Sequence, residues 1–245
     1  MIVGVVGVGK ARGVTTTAIG LATAFGETVG NAVIVEADPT GGDIMAWRGL
    51  KLEDGGVLKF ASHLGASRER EVMDHPPLNL VEMNVFRGQD LPQCAVLPLG
   101  VGGAPLATQV EAMWTVDGRE ELAKWPGVVV VDLGRWGPRL TADIWLTIDM
   151  GVVVCAGDVA GLQRARLASG VAPMVNRVPT VKLVNGSAWD LPEIRRSSGI
   201  VFDVVLAWDV RAAEKIRVGD WKGARKRLLA RQLVELARTM VTVDA

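Results

Sequence analysis

MIVGVVGVGKARGVTTTAIGLATAF, residues 1–25, and the AVIVEADPTGGD that follows at 32–43 decide how this chain folds. Ile2 to Val8 is an apolar run of the kind that forms a strand buried on both faces. It passes into a loop with glycines at Gly7, Gly9 and Gly13, and TTTAIGLATAF then reads as a helix from about Thr15 to Phe25. A second apolar run, Ala32 to Val35, leads into Glu36 and Asp38. Strand, glycine loop, helix and strand make a parallel α/β unit. The two acids stand at the carboxyl end of its second strand, where such sheets hold ligands.

Glycines let the backbone approach a ligand closely, and the start of a helix offers unpaired N–H groups carrying partial positive charge. A loop of this kind can wrap an anion, most naturally a phosphate. Two readings of Thr15 follow. Its hydroxyl either caps the helix or turns to a Mg²⁺ ion held by the phosphates, and a tight βα turn with an ordinary cap is the plainer alternative.

Downstream, the alternation of strand and helix continues. Helical patterns are expected over Gly56–Leu64, Pro105–Trp114, Gly118–Lys124 and Leu191–Ser197, and SREREV after Leu64 reads as a solvated charged face. Strands are expected around Cys94–Leu97, in VVVVD ending at Asp132, in GVVVCAG, in VPTVKLVNG and in VFDVVLAWD. Asp209 reads as an N-cap. A closing helix, WKGARKRLLARQLVELARTM, has Leu228, Leu229, Leu233, Leu236 and Met240 on one broad face for packing on a sheet. The fold class is therefore α/β: one domain over residues 1–245, with a doubly wound, mainly parallel sheet of seven or eight strands and helices on both faces.

The composition agrees with this fold and excludes other classes. With 49% hydrophobic and 22% charged residues among 245, the chain can bury a sizeable core. Its formal net charge of zero gives no global drive toward nucleic acid or membrane. Cys94 and Cys155 read as buried free thiols, and with no signal-peptide or spanning pattern a cytoplasmic location is expected. Charge is uneven locally: 211–231 carries eight basic residues against Glu214 and Asp220.

GKARGVTTTAIGLATAF followed by VIVEADPTGGD resembles the start of the ParA/MinD family of dimerising ATPases, P-loop proteins of the SIMIBI class. Their deviant Walker loop reads K-G-G-x-G-K-T-T, and their second strand ends in D-x-D-P. On that pattern Gly13 is the last loop glycine, Thr15 the magnesium-binding hydroxyl and Thr16 the next threonine. Glu36, Asp38 and Pro39 fall on the acids and the proline. Two departures stand out: Val14 occupies the place of the phosphate-binding lysine and Gly9 that of the signature lysine. Lys10 and Arg12 are the nearest cations. Loss of the Walker lysine is similar to the TadZ/CpaE-like branch associated with pilus assembly.

The resemblance implies ATP or ADP with Mg²⁺ as cofactors, held by Gly9, Lys10, Ala11, Arg12, Gly13, Val14, Thr15 and Thr16. Asn185 is implied as a base contact, though Asn-Gly is equally a turn. Thr15, Asp38 and Asp132 are implied around the metal, with Asp38 as the catalytic residue that positions water and Asp132 in a Walker B-like role. It further implies a nucleotide-dependent homodimer, a protein partner without a name, and a role in positioning DNA or a secretion, conjugation or pilus assembly, with weak or absent hydrolysis. The alternative is a pseudo-ATPase that keeps the fold for interaction. A nicotinamide or flavin enzyme fits less well, since glycines at 7, 9 and 13 miss the G-x-G-x-x-G spacing. Lys222, Arg225, Lys226 and Arg227 are the candidates for sequence-independent DNA contact, a membrane surface and a plain solvated face being the other readings.

Overall fold

The computed structural model describes residues 1–9, 11–51, 56–72, 80–88, 91–99, 106–137, 139–167 and 177–243. The strands are β1 (Ile2–Gly7), β2 (Ala32–Glu36), β3 (Phe86–Gly88), β4 (Leu91–Leu97), β5 (Val128–Arg135), β6 (Met150–Ala156), β7 (Thr180–Asn185) and β8 (Val204–Leu206). They form one eight-stranded sheet in the order β3-β4-β2-β5-β1-β6-β7-β8. β3 is antiparallel to β4 at one edge and the other pairings are parallel. This is the expected sheet, with β5 extending beyond Asp132 to Arg135.

Side chains alternate across the strands and feed two cores. Val3, Val5, Ile34, Val130 and Val152 enter one core with α1 (Val14–Val29) and three helices from the end of the chain: α10 (Val210–Val218), α11 (Trp221–Ala224) and α12 (Leu228–Val243). Ile2, Val33, Val35, Val129 and Val131 enter the other. They meet α3 (Val57–Val72), α4 (Leu80–Asn84), α5 (Leu106–Met113), α6 (Val116–Ala123) and α7 (Arg139–Trp145). A smaller cluster seats α8 (Val159–Leu167) and α9 (Leu191–Ser198) beside β6 and β7. A period of two on strands buried on both faces leaves no polar side to the sheet.

α1 is the central helix. Residues Thr16 to Gly26 are all buried, so it is apolar around most of its circumference. Gly20 brings α12 close, since a Cβ there would stand 2.5 Å from Leu233 Cδ1. Two buried hydroxyls on α1 are satisfied by backbone carbonyls one turn earlier, Thr17 Oγ1 donating to Gly13 O and Thr23 Oγ1 to Ile19 O, each at 2.8 Å. Gly30, at φ 87°, ends the helix through an N–H bond to Gly26 O.

The structure corrects several expected elements. SREREV continues α3 rather than following its end. The helix expected from Pro105 starts at Leu106 among the described residues, Pro105 itself lying outside them. The closing helix is broken into α11 and α12, and Leu228 is 51% exposed although Leu229, Leu233, Leu236 and Met240 are buried. The break has an electrostatic staple. Arg225 Nε pairs with Glu27 on α1 at 3.0 Å and Arg227 Nε with Asp209 at 2.8 Å. Trp221 Nε1 donates to Glu27, and Asp220 accepts from Gly223 N at 2.8 Å. Cys94 and Cys155 are buried thiols, and burial pushes them up to about 11 and about 12.

Gly151 on β6 lies under the ring of buried Trp145, whose Cζ2 and Cη2 would be 2.3 Å from an added Cβ. Overpacking against a ring that has no free rotamer costs about 1–3 kcal/mol. Gly151→Ala should therefore lower the urea midpoint, whereas Gly137→Ala, with nothing within 4 Å of its Cβ, should leave it unchanged.

Candidate nucleotide site at the strand ends

The loop from Val8 to Gly13 joins β1 to α1 at the carboxyl edge of the sheet. Gly13 stands at the N-cap with φ 81°, left-handed, and no side chain caps the helix. Thr15 is thus not the cap, and its hydroxyl faces Asp132 instead, where it favours the ionised carboxylate. The first N–H groups of α1 open toward the loop. Gly9 also takes a positive φ of 68°, in an exposed turn against Arg164. Ala11 is buried, Arg12 is exposed, and Lys10 lies outside the described residues.

Val14 is 6% exposed and packs against Ala11 and over Gly7, where an added Cβ would be 2.4 Å from Val14 Cγ2. The residue at the lysine position is therefore part of the hydrophobic core. It supplies no charge to the crevice.

Three carboxylates stand near the ends of β2 and β5. Glu36 and Asp132 are opposite one another in the register of β2 and β5, and both are 1% exposed. Glu36 accepts from Ile44 N and Leu99 N, each at 3.0 Å. It ties the start of α2 (Ile44–Arg48) to the end of β4, a structural clamp. Burial raises Glu36 to about 7 against those two N–H bonds. Asp132 Oδ1 accepts from Gly134 N at 3.1 Å, and Oδ2 is buried with no hydrogen-bond partner among the described residues. Burial raises this carboxyl to about 6, opposed by the Thr15 hydroxyl and the Gly134 N–H and reinforced by Asp38 and Asp43.

Asp38 is half-buried, and its Oδ1 accepts from Thr40 N at 2.8 Å and Thr40 Oγ1 at 2.7 Å. Its carboxyl lies over Gly134, φ 62°, where an added Cβ would be 1.9 Å from Oδ2. Glycine at the end of β5 is what lets Asp38 and Asp132 approach.

On the far side of the loop, Asn185 at the end of β7 donates from Nδ2 to Arg12 O at 2.9 Å, and its amide lies against Gly13. Beside it is a cavity of about 230 Å³ lined by Arg12, Gly13, Thr16, Asn185, Trp208 and Arg217, among others. Trp208 is 59% exposed and its ring covers Gly186. Sequence reading took only Asp209 from this turn, and Asp209 does cap α10, accepting from Ala212 N at 3.0 Å. It missed Trp208 and Arg217. The available signal was the spacing of Ala213 and Arg217, four residues apart and so on one face of α10.

Among the described residues, no cluster of three or more His, Cys, Asp or Glu side chains is gathered for a metal, and no helix is long and apolar enough to cross a membrane. Thr15 and Asp132 fit the sparser demand of Mg²⁺, which takes one or two protein oxygens alongside phosphate and water.

Solved structures share this fold over nearly the whole chain. A ParA family ATPase from Chlorobium tepidum superposes with a TM-score of 0.74 at 15% identity, over 96% of this chain and 98% of that one. The chain has the fold of the ParA and MinD ATPases. The cell division ATPase MinD of Pyrococcus furiosus gives 0.71 at 17% identity, covering 99% and 98%. MinD of Pyrococcus horikoshii, complexed with Mg-ADP, gives 0.70 at 16% identity, covering 100% and 97%. No family model matches the sequence, and no curated protein does.

The two buried acids predict a pH dependence. Their folded values, about 7 and about 6, lie above the ordinary 4.5 and 3.8, so the folded state binds more protons than the unfolded between these limits. Their contribution to stability is therefore present at low pH and falls as pH rises through the folded values. Without metal or nucleotide, Asp132→Asn should raise the urea midpoint at about pH 8 more than at about pH 5, since it removes the buried charge and keeps the acceptor for Gly134 N.

Proposed function

We propose that this chain binds an adenine nucleotide with Mg²⁺ at the β1–α1 loop and acts as a ParA/MinD-like switch for positioning DNA or a cell-envelope assembly, with slow hydrolysis or none. The observation that carries the reading is Asp132 Oδ2, buried beside Thr15 at the start of α1 and without a hydrogen-bond partner among the described residues. A desolvated acceptor of that kind is costly without a cation or donor to meet it.

In this reading the N–H groups of Gly13 to Thr16 receive the phosphates. Thr15 and Asp132 hold the metal, which neutralises phosphate charge when bound. Asn185 and the exposed face of Trp208 form the walls for the base, an aromatic face being able to stack on adenine. Asp38, held by Thr40 and seated over Gly134, positions the attacking water for any turnover.

Val14 supplies no stabilisation to a developing phosphoryl transition state. Its burial in the core favours the second reading, a nucleotide-bound or idle pseudo-ATPase that works through interaction.

Calorimetry with ATP and ADP, with and without Mg²⁺, alongside measurement of oligomeric state, tests both. Binding is expected for the wild type, with Thr15→Ala and Asp132→Asn losing the Mg²⁺-dependent part of the affinity and Gly134→Ala impairing any turnover by displacing Asp38. Absence of binding at millimolar nucleotide would leave the pseudo-ATPase.

The C-terminal basic face is the candidate DNA surface. Arg225 and Arg227 are engaged by Glu27 and Asp209, whereas Lys222 and Lys226 are exposed. Any binding should be sequence-independent, fall steeply with salt and strengthen in a nucleotide-bound dimer. Anisotropy titrations should show it lost in the Lys222→Glu, Lys226→Glu double variant at unchanged stability. Unaltered binding would remove this face from the reading.

A further inference from the structure

The nucleotide cradle lacks a lysine at Val14, yet a cation from elsewhere in the chain already reaches it. Arg217 projects from the last turn of α10 into the cavity beside the loop. Its Nε donates to Thr16 Oγ1 at 3.2 Å, on the third residue of α1. Its guanidinium lies over the Trp47 ring, 5.0 Å from the centroid. We propose that Arg217 is the phosphate-binding cation of this site, a charge delivered from the C-terminal helices in place of the missing loop lysine. The proposal rests on the nucleotide reading above and deepens it.

Unlike Lys215, Arg225 and Arg227, Arg217 has no acidic partner among the described residues. Lys215 pairs with Asp220, Arg225 with Glu27 and Arg227 with Asp209. Stacking on an indole fixes the plane of a guanidinium and leaves its edge donors free. Nε is committed to Thr16, and the terminal nitrogens have no hydrogen-bond partner among the described residues. Two N–H-bearing nitrogens in a fixed plane suit a pair of phosphate oxygens. They lie beside the start of α1, where the helix itself attracts an anion.

The support beneath Arg217 comes from the segment that follows Asp38. Trp47 and Arg48 belong to α2, and Arg48 Nη2 donates to the carbonyl of Ile216, the residue before Arg217, at 3.0 Å. Arg48 thereby satisfies an end carbonyl of α10. Glu36 holds the other end of α2 at Ile44 N. An anion drawn to Arg217 is thus felt by the segment carrying Asp38, through contacts already made.

The test measures ADP affinity by calorimetry in the full chain as wild type, Arg217→Gln, Arg217→Lys and Arg12→Gln, with the urea midpoint of each. Arg217→Gln should weaken ADP by about tenfold or more at an unchanged midpoint, and Arg217→Lys should recover part of the loss because it restores charge without the fork. Equal ADP affinity in wild type and Arg217→Gln overturns the proposal and leaves the nucleotide reading intact. So does a loss confined to Arg12→Gln. A fall in affinity that tracks a fall in midpoint and is not relieved by lysine makes Arg217 structural, which also overturns it. Absence of ADP binding in the wild type defeats the nucleotide reading itself.

Discussion

The burial of α1 between the sheet and α12 is the constraint from which the rest of the molecule follows. A helix apolar around nearly its whole circumference cannot lie on a surface. It needs a sheet on one side and further helices on the other, and here β1, β2 and β5 supply the first and α10 to α12 the second. Gly7 and Gly20 set how closely it sits, Gly7 against Val14 in the helix's first turn and Gly20 against Leu233 of α12. With the helix so fixed, its N-terminal N–H groups stand over the carboxyl ends of β1 and β5.

The same tight packing explains the chemistry of the site. Val14 belongs to the core under the loop, so the crevice has its cradle and its acids but no loop cation held in place by the described residues. Glu36 and Asp132 lie side by side in register, both buried, and their protonation equilibria are raised because charge in that position is poorly solvated. Glu36 resolves its burial with two backbone N–H bonds and becomes a clamp. Asp132 resolves only half of its own. Arg12 of the loop and Arg217 of α10 line the cavity beside it, and the ion pairs of Arg225 and Arg227 hold the C-terminal helices against α1 and the α10 cap.

Much of the fold was legible because it depends on local pattern. Continuous apolar runs bounded by glycine and acid mark the central strands, while their order in the sheet came only from the structure. Legibility ended where a long-range contact overrode the pattern. Leu228 has the spacing of a packed residue, but the chain turns at 225–227 because Glu27 and Asp209, distant in sequence, capture two arginines there. SREREV follows the expected helix end at Leu64, yet α3 runs through it to Val72, since Ser, Arg and Glu are all compatible with a helix interior.

The sequence by itself determined the α/β class, the loop and helix start at Gly13 to Thr16, and the acids ending two strands, because these are properties of residue order within one βαβ unit. Tertiary structure alone decided what each residue does there. Glu36 and Asp38, two positions apart, lie at different depths, and one becomes a clamp on two backbone N–H groups while the other lies over Gly134. Val14 turned inward because the space above Gly7 is filled only by an apolar side chain. Arg217, 201 residues from Thr16, meets it because α10 packs beside α1. No local pattern encodes that meeting, since it exists only when both helices are buried on the same face of the sheet.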